Sequence, residues 1–408
     1  MITNLRNDFN ARWTPAKYNE LQQKVAEKTR TQLEVRICET PIFVPADLMQ
    51  TMIDAGTEMV HQLLNDKEYL AASDAAVPSE FRVPGPEGVP NFLQVDFGLV
   101  RDEQGNLAPK LVEMQSFPSV YGYQQVLAEQ YVECYGLDRN LQQFLGGFDR
   151  ESYWGLLRQI IVRDHDPRNV VLLEVEPKKQ KTLMDFCLHE DRLGIRTVDI
   201  ATVRRKGRRL EYPHKGKWIA IDRIYNRSIA DEMVRKQIKP GFDLCEDFDV
   251  EWAGHPNWYF RISKFSLPYL RHSAVPACVF LDAWFRGEGH EKLPEDRERW
   301  VLKPLYSFSG KGIQFAPDEA ALAAIPTEQR KDWLLQERMR FAPVIDTPEG
   351  MTQAEIRVMY LWPEGGQMTP CMSLVRLGRG AMMGVDHNRK QGWIGGSAGL
   401  VLPRQPSG

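Results

Sequence analysis

Apolar residues recur every three or four positions through the first part of the chain. This spacing between residues 15 and 71 predicts two or more helices. A turn-rich run with three prolines and two glycines follows at residues 84–90, and residues 92–100 are then densely apolar. The pattern predicts a loop followed by a strand.

A reverse turn is predicted at Asp102–Asn106, and a second strand is predicted over residues 109–115. The two strands then form a hairpin, on which Asp96 and Glu113 are expected to lie side by side. Asp96 sits within an apolar run, where an unpaired charge would be costly. A pair of carboxylates on an edge strand is the alternative interpretation.

The middle of the chain has a different pattern. Residues 169–175 form a buried-strand run, a helical stretch continues to His189, and residues 194–200 form another strand. This order predicts a β-α-β unit. The run 218–227 is predicted as one strand ending in a polar cluster, where open α/β sheets place ligand groups. The candidates in this cluster are Arg223, Asn226 and Arg227.

Composition narrows the class of protein. The chain has 408 residues and a net charge of −3, so neither disorder nor bulk attraction to nucleic acid is indicated. The six cysteines are scattered, without zinc-ligand spacing, as in a reduced cytoplasmic protein. No run reaches the roughly 18 apolar residues of a membrane span. The basic run 204–209 is interpreted as a solvated hairpin turn, with a site for an anionic partner as the alternative.

Lys303 stands at the end of a predicted strand, before a loop of small residues. Backbone N–H groups of such a loop can bind phosphates, although the GxxxxGK[ST] motif is absent. A hairpin turn with an exposed lysine is the alternative. The candidate phosphate-binding residues after Lys303 are Ser307, Ser309, Gly310, Lys311 and Gly312.

A second apolar strand, residues 333–335, leads into Gln336 and Glu337, which suit an adenine-binding hinge. The strand Glu355-Ile-Arg357-Val follows. This order resembles the ATP-grasp superfamily. The chain is most similar to the circularly permuted branch that includes glutathionylspermidine synthase, because the candidate metal hairpin precedes the nucleotide lid.

The resemblance implies a magnesium site on the hairpin. The family's Asp-Phe and Glu-x-Asn pattern is matched by Asp96-Phe97 and by Glu113-Met114-Gln115, with glutamine where asparagine is usual. Magnesium prefers hard oxygen ligands, so a carboxylate and amide set is chemically suitable. The arginine that glutathione-using relatives place just before this aspartate is missing, which argues against glutathione as the substrate.

The resemblance also assigns roles to three cationic residues. Lys264 is expected to bind nucleotide phosphate beside Lys303, with a helix-surface lysine as the alternative. Arg376 is expected to stabilise the transferring phosphate, a task suited to a permanently charged donor fork. Arg357 competes with it for this role, and the alternative is a strand-face arginine paired with Glu355.

Two loops are further candidates for substrate binding. Ser116, Ser119 and Tyr121 follow the metal hairpin, where related enzymes hold the acyl substrate, and a simple turn is the alternative. The glycine-rich segment 384–399, with Asp386 and Asn388, is interpreted either as a closing loop or as a surface loop.

The fold class implied by the resemblance is α/β (α+β), a circularly permuted ATP-grasp fold with a pre-ATP-grasp Rossmann-like β-α-β domain. The predicted segments are a helical region (1–90), the metal- and substrate-binding part of the core (91–160), the α/β domain (161–256), and the nucleotide lid with the C-terminal core (257–408).

The implied activity is ligation with ATP and Mg²⁺ as cofactors. A carboxylate would become an acyl phosphate, which an amine or thiol then attacks, releasing ADP and phosphate. The expected partners are a small-molecule or peptide carboxylate and an amine, with neither nucleic acid nor membrane. Two alternatives stay open: a nucleotide-binding homologue with a kinase-like or regulatory role, and a binding protein that uses no nucleotide.

Overall fold

The computed structural model describes residues 1–307, 310–380, 383 and 391–403. The helices in this part of the chain are α1 (Thr3–Arg12), α2 (Pro15–Thr29), α3 (Ala46–Asn65), α4 (Lys67–Ala75), α5 (Tyr121–Tyr135), α6 (Arg150–Ile161), α7 (Leu183–Leu193), α8 (Ala230–Lys236), α9 (Trp258–Arg261), α10 (Leu281–Phe285) and α11 (Glu319–Ala323). Several of them begin at a side-chain cap. Asp66 accepts from two backbone N–H groups at the start of α4.

The strands are β1 (Ile42–Pro45), β2 (Phe92–Arg101), β3 (Leu107–Gln115), β4 (Val170–Glu174), β5 (Arg196–Asp199), β6 (Arg204–Lys206), β7 (Arg209–His214), β8 (Lys217–Ile221), β9 (Arg223–Asn226), β10 (Glu251–Ala253), β11 (Cys278–Phe280), β12 (Trp300–Pro304), β13 (Gln314–Phe315), β14 (Trp333–Glu337), β15 (Gln353–Leu361), β16 (Thr369–Gly378) and β17 (Gly395–Leu402). The protein is therefore a mixed α/β structure with several sheets.

A six-stranded sheet in the order β1-β17-β16-β15-β2-β3 lies at the centre. Its strands pair antiparallel except for β1, which runs parallel to β17. Segment 1–90, predicted as helical, thus also contributes a strand to this sheet. Alternation along β15 sends Ala354, Ile356 and Val358 into a core that includes residues of α3, and leaves Glu355 and Arg357 on the other face.

The predicted hairpin is confirmed. Asp96 of β2 faces Glu113 of β3, and a bulge follows, because Phe97 pairs with Leu111. The bulge gives β3 one extra residue, Val112, and brings Gln115 opposite Gln94. Polar side chains of both strands therefore share one face of the sheet.

A second sheet, β10-β9-β4-β5, is entirely parallel. It contains the predicted β-α-β unit as β4, α7 and β5. The run 218–227, predicted as one strand, divides into β8 and β9, which belong to different sheets. β8 pairs with β7 in a three-stranded sheet, whereas β9 lies between β4 and β10.

The basic run 204–209 lies in the hairpin of β6 and β7, as predicted. Three of its four arginines pair with acidic residues outside the run: Arg204 with Glu211, Arg205 with Glu246, and Arg208 with Asp247 and Asp249. The run is a solvated turn whose charge is largely offset by these neighbours.

The remaining sheet, β11-β14-β12-β13, is antiparallel. One face carries Leu302, Leu335 and Val279 into a small core of its own. The other face presents Val301, Lys303 and Gln336 to a cavity. Among the described helices, none is long and apolar enough to cross a membrane.

Candidate functional site

A cavity of about 830 Å³ is bordered by residues of the six-stranded sheet, the antiparallel sheet and the parallel sheet. Its volume lies in the range of small-molecule sites. Glu113, Arg357 and Arg376 come to it from the central sheet. Lys303 and Gln336 come from the antiparallel sheet.

The polar residues on the central sheet form a chain of ion pairs. Both Asp96 oxygens accept from Arg357, at 2.5 Å from Nε and 2.6 Å from Nη2. Arg376 Nη1 donates to Asp96 at 3.1 Å and also pairs with Glu355. This geometry follows from the register, because Arg357 pairs with Asp96 and Arg376 with Glu355 across neighbouring strands.

The two arginines decide the charge state of Asp96. Burial alone would raise the pKa of this fully buried carboxyl, but Arg357 and then Arg376 outweigh burial and hold the pKa below its usual value. Arg357 Nη1 also donates to Gln94 Oε1 at 2.6 Å. The Gln115 oxygen, turned toward the guanidinium, accepts from Nη2 at 2.5 Å.

The proposed magnesium ligands are consequently engaged with protein cations. Asp96 and Gln115 accept from arginine, and Glu113 Oε2 lies 3.2 Å from Lys264 Nζ. In the described part of the chain, no group of three or more His, Cys, Asp or Glu side chains is placed to hold a metal ion. This arrangement does not fit a metal held by Asp96, Glu113 and Gln115 together. Of the two carboxylates, only that of Glu113 is substantially exposed.

Lys264 is 7% exposed and lines the cavity. It begins a 3₁₀ turn after Ser263, which accepts from the Phe265 N–H group. Its ammonium bonds the carbonyl oxygen of Ser307 at 2.8 Å. Lys264 therefore connects Glu113 on the central sheet to the loop that follows Lys303.

Lys303 is 8% exposed, and its ammonium has no hydrogen bond or ion pair to a described residue. Burial lowers its pKa to about 8, against the opposing effect of Glu113, while Lys264 adds to the decrease. Gln336, opposite Val301 on the neighbouring strand, has both amide atoms buried without a described partner. Buried polar groups without hydrogen-bond partners are uncommon in proteins. Gln336, which has such groups, lines the cavity.

Other predicted nucleotide residues are distributed unevenly. Gly310 and Glu337 line the cavity, and Ser307 lines a small adjoining pocket. Lys311 and Gly312 do not border it, and Lys311 is exposed. Ser309, Asp386 and Asn388 lie outside the described residues.

The predicted substrate residues also separate. Ser119 and Arg227 line the cavity, but Ser116 does not. Tyr121 is buried, and its hydroxyl donates to the backbone of Leu93 and Tyr360. These contacts make Tyr121 part of the packing.

Arg223 and Asn226 are likewise used by the protein itself. Arg223 is 1% exposed and pairs with Glu251 at 2.6 Å and with Glu364 at 3.4 Å. Asn226 accepts from the Ser228 hydroxyl at 2.7 Å. Of these three candidates, only Arg227, which follows the last residue of β9, lines the cavity.

Sequence reasoning missed Glu174 and Glu355 as cavity residues. Glu174 ends β4 beside Arg227, at the carboxyl edge of the parallel sheet. The signal was available, since Glu174 is the polar end of a buried-strand run. Glu355 lies two residues from Arg357 and therefore on the same face of β15.

The comparisons with known proteins give the fold. No family model matches the chain, and no curated protein matches it in sequence. Among solved structures, a glutathione synthetase-like effector from Globodera pallida, determined without ligand, matches with a TM-score of 0.59 and 11% identity. The match covers 95% of this chain and 96% of that one. The mixed α/β structure is therefore similar to a glutathione synthetase-like fold.

Proposed function

We propose that the protein is an ATP-dependent ligase of the ATP-grasp type, with the permuted element order implied by the hairpin preceding the lid. It would activate a carboxylate as an acyl phosphate and join it to an amine. The observation that carries the proposal is the presence of Lys303 and Gln336 on the same sheet at the cavity. Both are buried on one wall of the cavity, and neither has a described partner. A lysine without a counter-ion suits a phosphate, and an amide without partners suits a base.

The charges around the cavity support this assignment. Lys264, Lys303, Arg357 and Arg376 are opposed by Asp96, Glu113 and Glu355, so the cluster carries one excess positive charge when all seven are ionised. An anion is therefore favoured. Arg376 remains one-quarter exposed and offers donors to a transferring phosphoryl group.

In this proposal each residue has a limited task. Lys303 and Lys264 offset phosphate charge, Gln336 and Glu337 hold the base, and Arg376 stabilises the group in transfer. Of the two hairpin carboxylates, Glu113 is the more exposed and would be the one to contact a magnesium ion bound to ATP. Because the Asp96 and Gln115 oxygens are taken up by arginine, no catalytic step is assigned to a metal.

A second candidate function is nucleotide binding without ligation. The arginine clamp on Asp96 favours it, because a clamped carboxylate is less available as a metal ligand. The two functions differ in product. A ligase sustains the conversion of ATP to ADP and phosphate when the acid and the amine are both present, because the amine consumes the acyl phosphate formed from the acid, whereas a regulatory binder forms no ADP.

The test is calorimetric titration with ATP, with and without Mg²⁺. Lys303→Ala should weaken binding by about 10- to 100-fold, as expected for the loss of a charge-assisted contact. Lys217→Ala, an exposed lysine on β8, is the matched control and should bind as the parent does. An ATP affinity that is the same in Lys303→Ala as in the parent chain would refute the proposal, and so would the absence of ATP binding by the parent chain. With binding in hand, acid and amine pairs are screened for ADP release.

A further inference from the structure

A second cleft, of about 490 Å³, adjoins the cavity described above. Its lining residues are Val100, Arg101, Lys110, Val275, Pro276, Arg299, Glu337, Arg338, Met339 and Arg340. Glu337, Arg338 and Met339 border both spaces. The volume of this second space, the basic cleft, lies in the range of small-molecule sites.

The basic cleft concentrates positive charge on a chain whose net charge is −3. Five of its ten lining residues are cationic, and one, Glu337, is anionic. Glu337 already pairs with Arg299. The cleft therefore has an excess of four positive charges.

The other four cations of the cleft are Arg101, Lys110, Arg338 and Arg340. None of the four has an ion-pair partner among the described residues. Asp102, the neighbour of Arg101 in the chain, instead accepts from the N–H groups of Gln104 and Asn106 in its own turn. Like charges that are left close together repel, and a bound anion would relieve that repulsion.

Neutral groups hold three of these side chains in place. Arg101 Nη1 donates to a backbone carbonyl of the following turn at 2.8 Å, and Lys110 Nζ donates to the Ser273 carbonyl at 2.7 Å. The Arg338 guanidinium carbon lies 4.9 Å from the Phe315 ring centroid, within the range of cation–π contact. These contacts restrict the side chains without offsetting their charge, so donors remain for a ligand.

We propose that the basic cleft binds a small polyanion that carries two or more carboxylate or phosphate groups. The cations come from three separate segments, namely the β2–β3 hairpin, the residue before β12 and the segment after β14, so they converge on one space. Arginine donor forks bind carboxylate and phosphate alike. Val275 and Pro276 add apolar wall, and a concave space of this size suits a compact molecule better than an extended acidic chain.

The inference does not depend on the proposed ligase function. Arg101, Lys110 and Arg340 border the basic cleft and not the larger cavity, whereas Lys264 and Lys303 border the larger cavity and not the basic cleft. Binding at one place can therefore be removed while binding at the other is kept.

The experiment uses the full chain without nucleotide or Mg²⁺. Citrate and fructose 1,6-bisphosphate are the two polyanion probes, which distinguish a polycarboxylate from a polyphosphate ligand. Acetate and fructose 6-phosphate are their analogues of lower charge, and hexaglutamate represents an extended acidic chain. Binding is measured by calorimetry and by the shift of the thermal midpoint, with sodium chloride at matched ionic strength as the reference.

The cleft variant combines Arg101→Gln, Lys110→Gln and Arg340→Gln. A control variant with the same change in charge combines Lys28→Gln, Arg209→Gln and Lys217→Gln, all exposed and outside the cleft. Each titration is repeated with Lys303→Ala, which separates binding at the basic cleft from binding at the larger cavity. The thermal midpoint of each variant without a probe is the folding control.

We expect at least one polyanion to bind about tenfold or more tightly than its analogue of lower charge. The cleft variant should weaken that binding about 10- to 100-fold and Arg340→Gln alone about two- to fivefold, since three partly exposed charge contacts are lost or one. The control variant and Lys303→Ala should bind as the parent does.

Four outcomes would overturn the proposal. Neither polyanion binds, or sodium chloride at matched ionic strength raises the thermal midpoint as much as the polyanions do. The control variant loses as much affinity as the cleft variant, or Lys303→Ala abolishes binding while the cleft variant keeps it. Binding of hexaglutamate alone would likewise replace the small-molecule site with a surface for an acidic chain.

Discussion

Two sets of buried charged and polar residues lie at or beside the same cavity. They differ in whether other protein groups supply their hydrogen-bond and charge partners. Asp96, Arg357, Arg376 and Glu355 satisfy one another across three neighbouring strands. Lys303, Gln336, Arg227 and Glu174 lack, among the described residues, the partners or counter-charge that burial requires. The first set is a framework whose charges are paired without a ligand. The second set consists of groups whose missing partners a ligand would supply.

The distinction has an energetic meaning. Removing one member of a buried ion pair leaves the other charge buried without a partner, which costs several kcal/mol. An unpaired buried group already carries that cost in the folded protein. Mutations should therefore destabilise the first set strongly, and should spare or even stabilise the second while affecting binding.

The largest effect is expected at Asp96. Asp96→Ala strands Arg357 and part of Arg376, and should reduce the free energy of unfolding by about 3–5 kcal/mol. Arg227→Gln should cost no more than about 2 kcal/mol, since it loses the contacts with two rings and one long hydrogen bond to the Thr182 hydroxyl. Urea denaturation of both variants measures the contrast. Equal losses would mean that the clamp is not the framework inferred here.

A pH-dependent effect is expected at Glu174. Because its folded-state pKa of about 8 exceeds the usual glutamate value of 4.5, the folded state binds the proton more tightly, and this carboxyl lowers stability as pH rises from 4.5 to 8. Glu174→Gln should remove that loss, at most about 1.4 kcal/mol for each pH unit. The exposed Glu328→Gln is the control. Parallel pH profiles for parent and Glu174→Gln would contradict the assignment.

Lys303 should make nucleotide binding depend on pH. Its amine, with a pKa of about 8, loses its proton as pH rises, and phosphate affinity should then fall by up to tenfold per pH unit above 8. The free energy of unfolding should instead rise between pH 8 and 10.5, because the unfolded lysine binds its proton more tightly than the folded one does. Titrations at pH 7, 8 and 9 test this, with Lys303→Arg as the control that should lose most of the decrease.

The smallest effect is expected at Gln336, where the two readouts should move in opposite directions. Gln336→Leu removes a buried amide that has no described partner, so the free energy of unfolding should rise by about 1 kcal/mol. Loss of the same amide should weaken ATP binding about fivefold or more while leaving inorganic triphosphate binding unchanged. Calorimetry with both ligands distinguishes a base contact from a general change in the cavity.

Local patterns predicted much of the fold, because they report on local forces. The β2–β3 hairpin and the β-α-β unit follow from alternation, turn residues and buried-strand runs. The division of residues 218–227 into β8 and β9 was missed, since an apolar run does not reveal a change of sheet. The parallel pairing of β1 with β17 joins distant segments, for which the sequence carries no local signal.

The site divides in the same way. Lys303 and Gln336 stand one residue before the ends of their strands and Arg227 just past the end of β9, so position alone suggested them, and the structure brings them to the cavity. The partners of Asp96 could not be predicted, because its pairing with Arg357 depends on the register of β2 against β15. Arg223 and Asn226 failed to reach the cavity since β9 turns them into its own packing.

The pairing of β2 with β15 also bears on how the chain folds as it is synthesised. Asp96 and Arg357 are separated by 261 positions, so the carboxylate leaves the ribosome long before its arginine does. Synthesis at about 5–20 residues per second makes that delay roughly 13 to 52 seconds. During this interval β2 has an open edge and a charge without its partner. A chaperone that shields this hairpin would therefore be expected to raise the yield of folded protein more than one that acts after release.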